Sequence, residues 1–288
     1  MRYLSFVKDG VAKVGAVVDG AVVDVASALP GAPATIRGII AAGCETQERI
    51  AEAVNRVPPD QRLPLSACQI AIPIPDTGKI VCLGLNYADH AKEGGHSLPG
   101  YPSLFLRVPT SLIAHGAAMV VPRCSEQLDY EAELMVVIGK RCRHVPEDQA
   151  LDVVFGYTLF NDGSVREYQR RTTQWTAGKN FDRTGPVGPW IVTADELPRG
   201  AAGLRIRSRL GDRILQDSNT KNMIFSVAKT VSLLSEIMTL EPGDLIATGT
   251  PEGVGHARKP PLWLKPGDEI TVEVEEIGAL SNPVVAET

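Results

Sequence analysis

Three acids in five positions precede an apolar, strand-like run in LDYEAELMVVIGK, residues 128–140. A strand turns successive side chains to opposite faces, so Glu131 and Glu133 share a face with Met135 and Val137. Leu134, Val136 and Ile138 take the other face. Two like charges at the mouth of a buried strand repel each other and resist desolvation, so a positive charge belongs between them. Asp162 ends a second apolar run, GYTLFNDGS, with Gly163 after it, a place from which a carboxylate can face a pocket. Glu131, Glu133 and Asp162 together would make a cage of hard oxygen ligands suited to Mg²⁺ or Mn²⁺, with positions left for water and substrate. The plainer alternative is a set of rim acids paired with Arg or Lys, and spacing alone leaves both open.

A second group of residues could act beside such a cage. In GLNYADHAKEGG, His90 and Glu93 stand three apart and meet on one face if the segment is helical. A histidine oriented by a carboxylate is a general base for activating water; the alternative is an exposed loop histidine beside a charge. Gly94, Gly95, Pro99 and Gly100 would let the segment hinge as a lid. Arg166, Gln169 and Lys179 follow Asp162, and cations near a carboxylate cage could hold an anionic substrate or an enolate. Each alone could equally be an ordinary surface charge. The glycine-rich TGTPEGVG, residues 248–255, fits neither a Walker loop nor a dinucleotide fingerprint. It reads as a tight turn that brings backbone and the Thr250 hydroxyl near a ligand. His96, His115, His144 and His256 have no partners at ligand spacing and read as structural or exposed. Trp175 and Trp263 fit core and pocket wall equally well.

Positioning these residues requires a packed scaffold, and the composition supplies one. The chain has 288 residues, 44% hydrophobic and 22% charged, enough for one large domain or two smaller ones with a sizeable core. A net charge of −5 argues against nucleic acid or an anionic membrane as the main partner. No apolar run reaches the roughly 18–20 residues of a membrane helix. Five widely spaced cysteines without a CxxC pair read as reduced thiols. With MRYLSFVKDG lacking a long apolar stretch, they predict a cytoplasmic location. Residues 3–27 alternate apolar runs with the turn signals KDG and VDG, predicting an antiparallel meander. Residues 35–56 have helical spacing with a break at Gly43. Prolines at 58, 59, 64, 73 and 75 then read as a linker, dividing a small N-terminal domain, 1–70, from a second domain, 71–288. The second domain reads as mostly β, with one clear helix over 221–238 striped by Ile224, Val227, Val231, Leu234 and Met238.

In this order, GLNYADHAKE, LDYEAEL, GYTLFND, QWTAGKNFD, GPVGPWIVT, TLEPGDLIATGTPEGVG and LKPGDEITVEVEEIGALSN resemble the fumarylacetoacetate hydrolase family over residues 79–284. The resemblance implies an α+β, β-rich fold of stacked and rolled sheets, assembled as a homodimer. It implies Mg²⁺ or Mn²⁺ on Glu131, Glu133 and Asp162, which would be the missing positive charge. It implies a water-activating dyad in His90 and Glu93, carried by a lid, and a catalytic lysine in Lys179 that contacts a keto acid. Gln169 and Thr250 match positions that line the substrate site, with Arg166 as a supporting charge. Two departures bear on substrate identity: the Asp162 motif continues as GSVRE, and Arg107 stands where a lysine is frequent. Residues 1–70 match weakly. Family members act on small 2-keto acids whose 1-carboxylate and 2-keto oxygens the metal chelates. The dyad points first to a hydrolase that cleaves a C–C bond in an acylpyruvate-type 2,4-diketo acid. The alternatives are a 5-carboxymethyl-2-hydroxymuconate isomerase or decarboxylase of aromatic catabolism, an oxaloacetate-type decarboxylase, or a metal-stabilised binding protein without turnover.

Overall fold

The structure, a computed structural model, describes residues 1–93 and 98–288, with the side chains of residues 90–92 left undescribed. It is β-rich α+β, as predicted: a twelve-stranded mixed sheet, a five-stranded sheet and a two-stranded ribbon. No helix among the described residues is long and apolar enough to cross a membrane.

The strand Ala132–Ile138 lies inside the large sheet, flanked by Val154–Asn161 and Leu245–Ala247, and all seven of its residues are buried. Its alternation is the predicted one. Leu134, Val136 and Ile138 face a core shared with Val227, Val231 and Leu234 and with Ile206, Val272 and Leu280 of the five-stranded sheet. Met135 and Val137 face a second core, closed by Ile36, Ile39, Ile40, Ile50 and Val54. A strand covered on both faces must be apolar throughout, so the acid within it, Glu133, carries a cost that something must offset.

The predicted meander forms as Arg2–Lys8, Val11–Val18 and Ala21–Asp24. Each hairpin closes through an Asp-Gly pair with positive φ, 53° and 75° at Asp9 and Gly10, 51° and 78° at Asp19 and Gly20. That geometry matches strand twist in a two-residue hairpin, which is why Asp-Gly marks one. Arg2 and Tyr3 pair with Val192 and Ile191, so the meander continues the large sheet. Two helices follow, Ile36–Ala41 and Cys44–Asn55, separated at Gly43, whose φ of 82° suits glycine. The helix predicted over 221–238 is shorter, Val227–Ile237. Ser226 is extended and accepts the Lys229 N–H, so it caps the helix there. Residues 220–222 form a separate turn, which leaves Ile224 outside the helix.

Candidate active site

Glu131, Glu133 and Asp162 meet at the mouth of two paired strands. Ala132 pairs with Asn161 across the strands, which brings the neighbouring acids together. Backbone locks them: Asp162 N donates to Glu131 O at 3.0 Å, and Glu131 N donates to Asn161 Oδ1 at 3.0 Å. One ligand oxygen from each carboxylate lies within 4.8 Å of the others, and all three residues are buried.

Buried cations compensate part of this charge. Lys179 Nζ donates to Glu131 Oε2 at 2.7 Å and to Asp162 Oδ2 at 2.5 Å. Arg166 lies 2.6 Å from Glu131 and donates from Nε to Asp129 Oδ2 at 2.8 Å. Arg107 donates to Asp162 Oδ1 at 2.5 Å, to the Gly163 carbonyl at 3.0 Å and to the Thr184 hydroxyl at 2.9 Å. The plain alternative from the sequence is thus half right: the acids are ion-paired, but deep inside rather than on a rim. Burial by itself would lower the Lys179 pKa, yet the Asp162 and Glu131 carboxylates outweigh it and hold the ammonium above its ordinary value. The side chain therefore stays charged and can donate but not act as a base.

Glu133 is the exception. Its Oε2 accepts from Gly249 N at 2.9 Å, while its Oε1 is buried without a hydrogen-bond partner among the described residues. Burial, then the charges of Asp162 and Glu131, push its carboxyl well above the usual range. An orphaned oxygen in a cluster of hard anionic ligands is what a divalent cation would satisfy, so the residues fit one held by Glu131, Glu133 and Asp162.

The TGTPEGVG segment is strapped to this centre. Asn86 donates from Nδ2 to the carbonyls of Thr248 at 2.7 Å and Phe225 at 3.0 Å, and accepts the Phe225 N–H at 2.7 Å. Gly249 has φ +88°, and a Cβ there would lie 2.8 Å from the Asn86 Cβ, so the approach requires glycine. Thr248 donates its hydroxyl to the Leu134 carbonyl at 2.9 Å. Gly253 N donates to the Glu93 carboxylate at 3.1 Å. Gly255 N and His256 N donate to the Asp129 carboxylate at 2.7 and 2.9 Å. Burial would raise Asp129, but Arg166 and His256 hold it below the ordinary carboxylate range.

Of these groups Glu131, Glu133, Arg166, Lys179 and His256 line a cavity of about 330 Å³, together with Phe105, Trp175, Gln169 and Thr250. The structure decides the role of Trp175 that spacing left open. Its indole packs on Gly84, where a Cβ would come within 2.0 Å of the ring, and stands edge-on to Phe105 at 5.7 Å. It is a pocket wall.

Seven residues picked out in the sequence thus converge: Glu131, Glu133, Asp162, Arg166, Gln169, Lys179 and Thr250. Glu93 ends the helix Ala88–Glu93 and reaches the glycine-rich turn. The His90 side chain and residues 94–97, which include Gly94, Gly95 and His96, lie outside the described residues, and with them the dyad contact and the lid. His256 is a correction. Expected to lack partners, it lines the pocket with Nδ1 3.5 Å from Asp129 Oδ2. Sequence reasoning also passed over Asp129 and Asn86 and took Arg107 only as a departure. Asp129 carried a signal, since the alternation that aligns Glu131 with Glu133 extends back to it. A lone arginine in LFLRVPT is a similar sign of a buried partner.

Residues 79–285 match the fumarylacetoacetate (FAA) hydrolase C-terminal family. The chain is 38% identical over 295 residues to a fumarylacetoacetate hydrolase domain-containing protein 2 homolog of Dictyostelium discoideum, covering 99% of this chain and 96% of that one. It is 37% identical over 270 residues to a mitochondrial oxaloacetate tautomerase of Xenopus laevis, covering 92% and 83%. Among solved structures it is similar to a maleylpyruvate hydrolase from Sphingobium sp. SYK-6 in complex with manganese(II) and pyruvate, at 30% identity and a TM-score of 0.84 over the whole of both chains.

Proposed function

The chain belongs to the fumarylacetoacetate hydrolase family, and on that premise we propose that it is a divalent-metal-dependent hydrolase of an acylpyruvate-type 2,4-diketo acid. The observation that carries the metal is the orphaned Glu133 Oε1 inside a buried cluster of carboxylates. Mg²⁺ or Mn²⁺ held by Glu131, Glu133 and Asp162 would supply Lewis-acid binding of the 1-carboxylate and 2-oxo oxygens of a 2-keto acid.

The chain's own groups account for the rest. Lys179, held charged by its carboxylates, is a donor for negative charge that develops on the 2-oxo oxygen. Phe105 and Trp175 form an apolar wall that excludes water and strengthens those contacts. His90 and Glu93 would hold a water on the 4-carbonyl, His90 taking its proton. The water oxygen adds to C4, the C3–C4 bond breaks, and its electron pair leaves on C3. The proton then returns to C3, giving pyruvate and a carboxylic acid. The hydrogen bond from Gly253 N to Glu93 ties the dyad helix to the turn carrying Thr250. Cleavage in heavy-oxygen water tests this: the released acid gains one solvent oxygen, and cleavage without that label overturns the hydrolytic assignment.

A second reading is keto–enol tautomerisation of an oxaloacetate-type acid, favoured by the 37% identity to the Xenopus laevis oxaloacetate tautomerase. It needs only transfer of a proton between C3 and the 2-oxo oxygen, with no C–C bond broken. Enol–keto exchange without cleavage of any acylpyruvate selects this reading. Isomerisation or decarboxylation of a hydroxymuconate selects the remaining family chemistry. Assembly as a homodimer belongs to the same proposal.

A further inference from the structure

We propose that His256, backed by the buried Asp129, is the acid–base residue that moves the proton at C3 of the 2-keto acid. This rests on the 2-keto acid reading above and applies to cleavage and to tautomerisation alike.

Both reactions make or break a C3–H bond, and that step needs a side chain able to take a proton and to give one. The described residues of the pocket wall offer few. Glu131 is held by Lys179 and Arg166, and both it and Glu133 belong to the carboxylate cluster that fits a metal. Lys179 stays charged, so it can donate but not act as a base. Arg166 and Arg170 do not release a proton in a protein. Gln169, Thr172 and Thr250 are neutral amide and hydroxyl groups. His256 is what remains, and imidazole is the side chain that exchanges protons near neutral pH.

The fold seats this histidine from both sides. A Cβ on Gly255 would lie 1.9 Å from the Leu262 carbonyl oxygen and 2.5 Å from Asp129 Oδ1, so only glycine lets the chain approach so closely. Two residues past His256, Arg258 donates to the Tyr130 hydroxyl at 2.9 Å and to the Gly253 carbonyl at 3.0 Å. Nδ1 of His256 is buried and faces Asp129 Oδ2 at 3.5 Å, with no hydrogen-bond partner elsewhere among the described residues. A carboxylate at that nitrogen favours the ring proton on Nδ1, which leaves the Nε2 lone pair as the free site of the ring. Asp129 also accepts from Tyr130 N at 2.8 Å and from Arg166 Nε at 2.8 Å. It can therefore steady an imidazolium without taking its proton.

In cleavage, the proton that returns to C3 comes from the Nε2–H of the His256 imidazolium. The C2–C3 π pair of the enolate forms the new C3–H bond, and the 2-oxo group is restored. His90 ends with the proton taken from water, and the two histidines reset by exchange with solvent. In tautomerisation, neutral Nε2 takes the C3 proton and the C–H pair becomes the C2–C3 π bond. Negative charge on the 2-oxo oxygen settles beside Lys179, and the imidazolium passes its proton to that oxygen through solvent.

The test uses the full-length, Mg²⁺-loaded protein with 2-oxobutyrate, which has C3 protons but no 4-carbonyl to cleave. Proton NMR in D₂O follows loss of the C3 signal, and calorimetry measures the affinity for oxalate, which has no C3 to protonate. We expect His256→Ala to slow catalysed exchange by roughly 10²-fold with oxalate affinity unchanged, and added imidazole to restore part of the rate. In that variant Asp129 keeps Arg166 and its backbone N–H donors, so the protein folds. Exchange at the wild-type rate in His256→Ala overturns the proposal, and so does a loss that imidazole does not restore, which is what a merely structural histidine would give. Wild-type protein that binds oxalate without exchanging 2-oxobutyrate overturns it as well, and each of these leaves the 2-keto acid reading intact. Wild-type protein that neither binds oxalate nor turns over any 2-keto acid overturns that reading, and the proposal with it.

Discussion

Asn86→Ala tests how the glycine-rich turn is held at the carboxylate cluster. The substitution removes three buried hydrogen bonds, to the Thr248 carbonyl and to both backbone groups of Phe225. The Phe225 carbonyl keeps a 3.4 Å contact from the Thr230 hydroxyl, but the Thr248 carbonyl and the Phe225 N–H lose the partner they have. Two orphaned buried groups cost about 3 kcal/mol. For a chain of this size that corresponds to a fall in Tm of about 6–12 °C. Gly249, next to Thr248, donates to Glu133, so a loosened turn also weakens the ligand with the fewest partners. Thermal unfolding by circular dichroism in EDTA reads the first effect, and calorimetric titration with Mg²⁺ reads the second. Asn86→Asp keeps the acceptor for Phe225 N–H but sets a buried carboxylate oxygen against both carbonyls, so it should destabilise at least as much as Ala. An Asn86→Ala protein melting within about 1 °C of wild type refutes the reasoning.

Chelation should abolish turnover and lower Tm, because a cation at a hundred times its Kd stabilises by about 2.7 kcal/mol. Glu133→Gln should remove most of that metal-induced rise without lowering the melting temperature in EDTA, since it deletes a burial-penalised charge. Full turnover in excess EDTA contradicts the metal site. His90→Ala should cut hydrolysis by roughly 10²-fold with metal content unchanged, and loss of the metal would show that the histidine is a ligand instead. Asp24 gives a pH test away from the pocket. Burial would raise its carboxyl, but Lys13 and the Ser27 hydrogen bonds hold it below the ordinary value. A depressed carboxylate contributes fully above its unfolded pKa of about 3.9 and loses that contribution as pH falls through the folded value. Asp24→Asn should therefore cost about 0.5–1 kcal/mol at neutral pH, and urea melts should show the difference vanishing in acid. A difference that persists in acid excludes the ion pair as its source. Gly84→Ala should push Trp175 off its seat and raise KM, and an unchanged KM would remove Trp175 from the binding wall.

The sequence by itself determined what depends on near neighbours along the chain. Alternation aligned Glu131 and Glu133 with Met135 and Val137; Met135 and Val137 share the second core and Glu133 pairs with Phe160 of that core, while Glu131 stands one residue before the strand. Asp-Gly pairs marked both hairpins, and Gly43 marked the break between two helices, because positive φ is a local demand. Sequence motifs in fixed order picked out six residues of the pocket wall, and Asp162 clustered with two of them, before any fold was in hand. Tertiary structure alone decided the partners. Arg107 reaches Asp162 from 55 residues away, Asn86 reaches Phe225 across 139, and His256 meets an acid on the far side of the chain's midpoint. No periodicity encodes such contacts, since they depend on which strands become neighbours in the sheet. The start of the helix at Val227 belongs with them: the apolar stripe includes Ile224, but Asn86 binds both backbone groups of Phe225, and Ser226 can cap only from an extended conformation. Even the charge state of Lys179 is a tertiary property, because burial alone would lower its pKa and only the carboxylates folded against it reverse the sign.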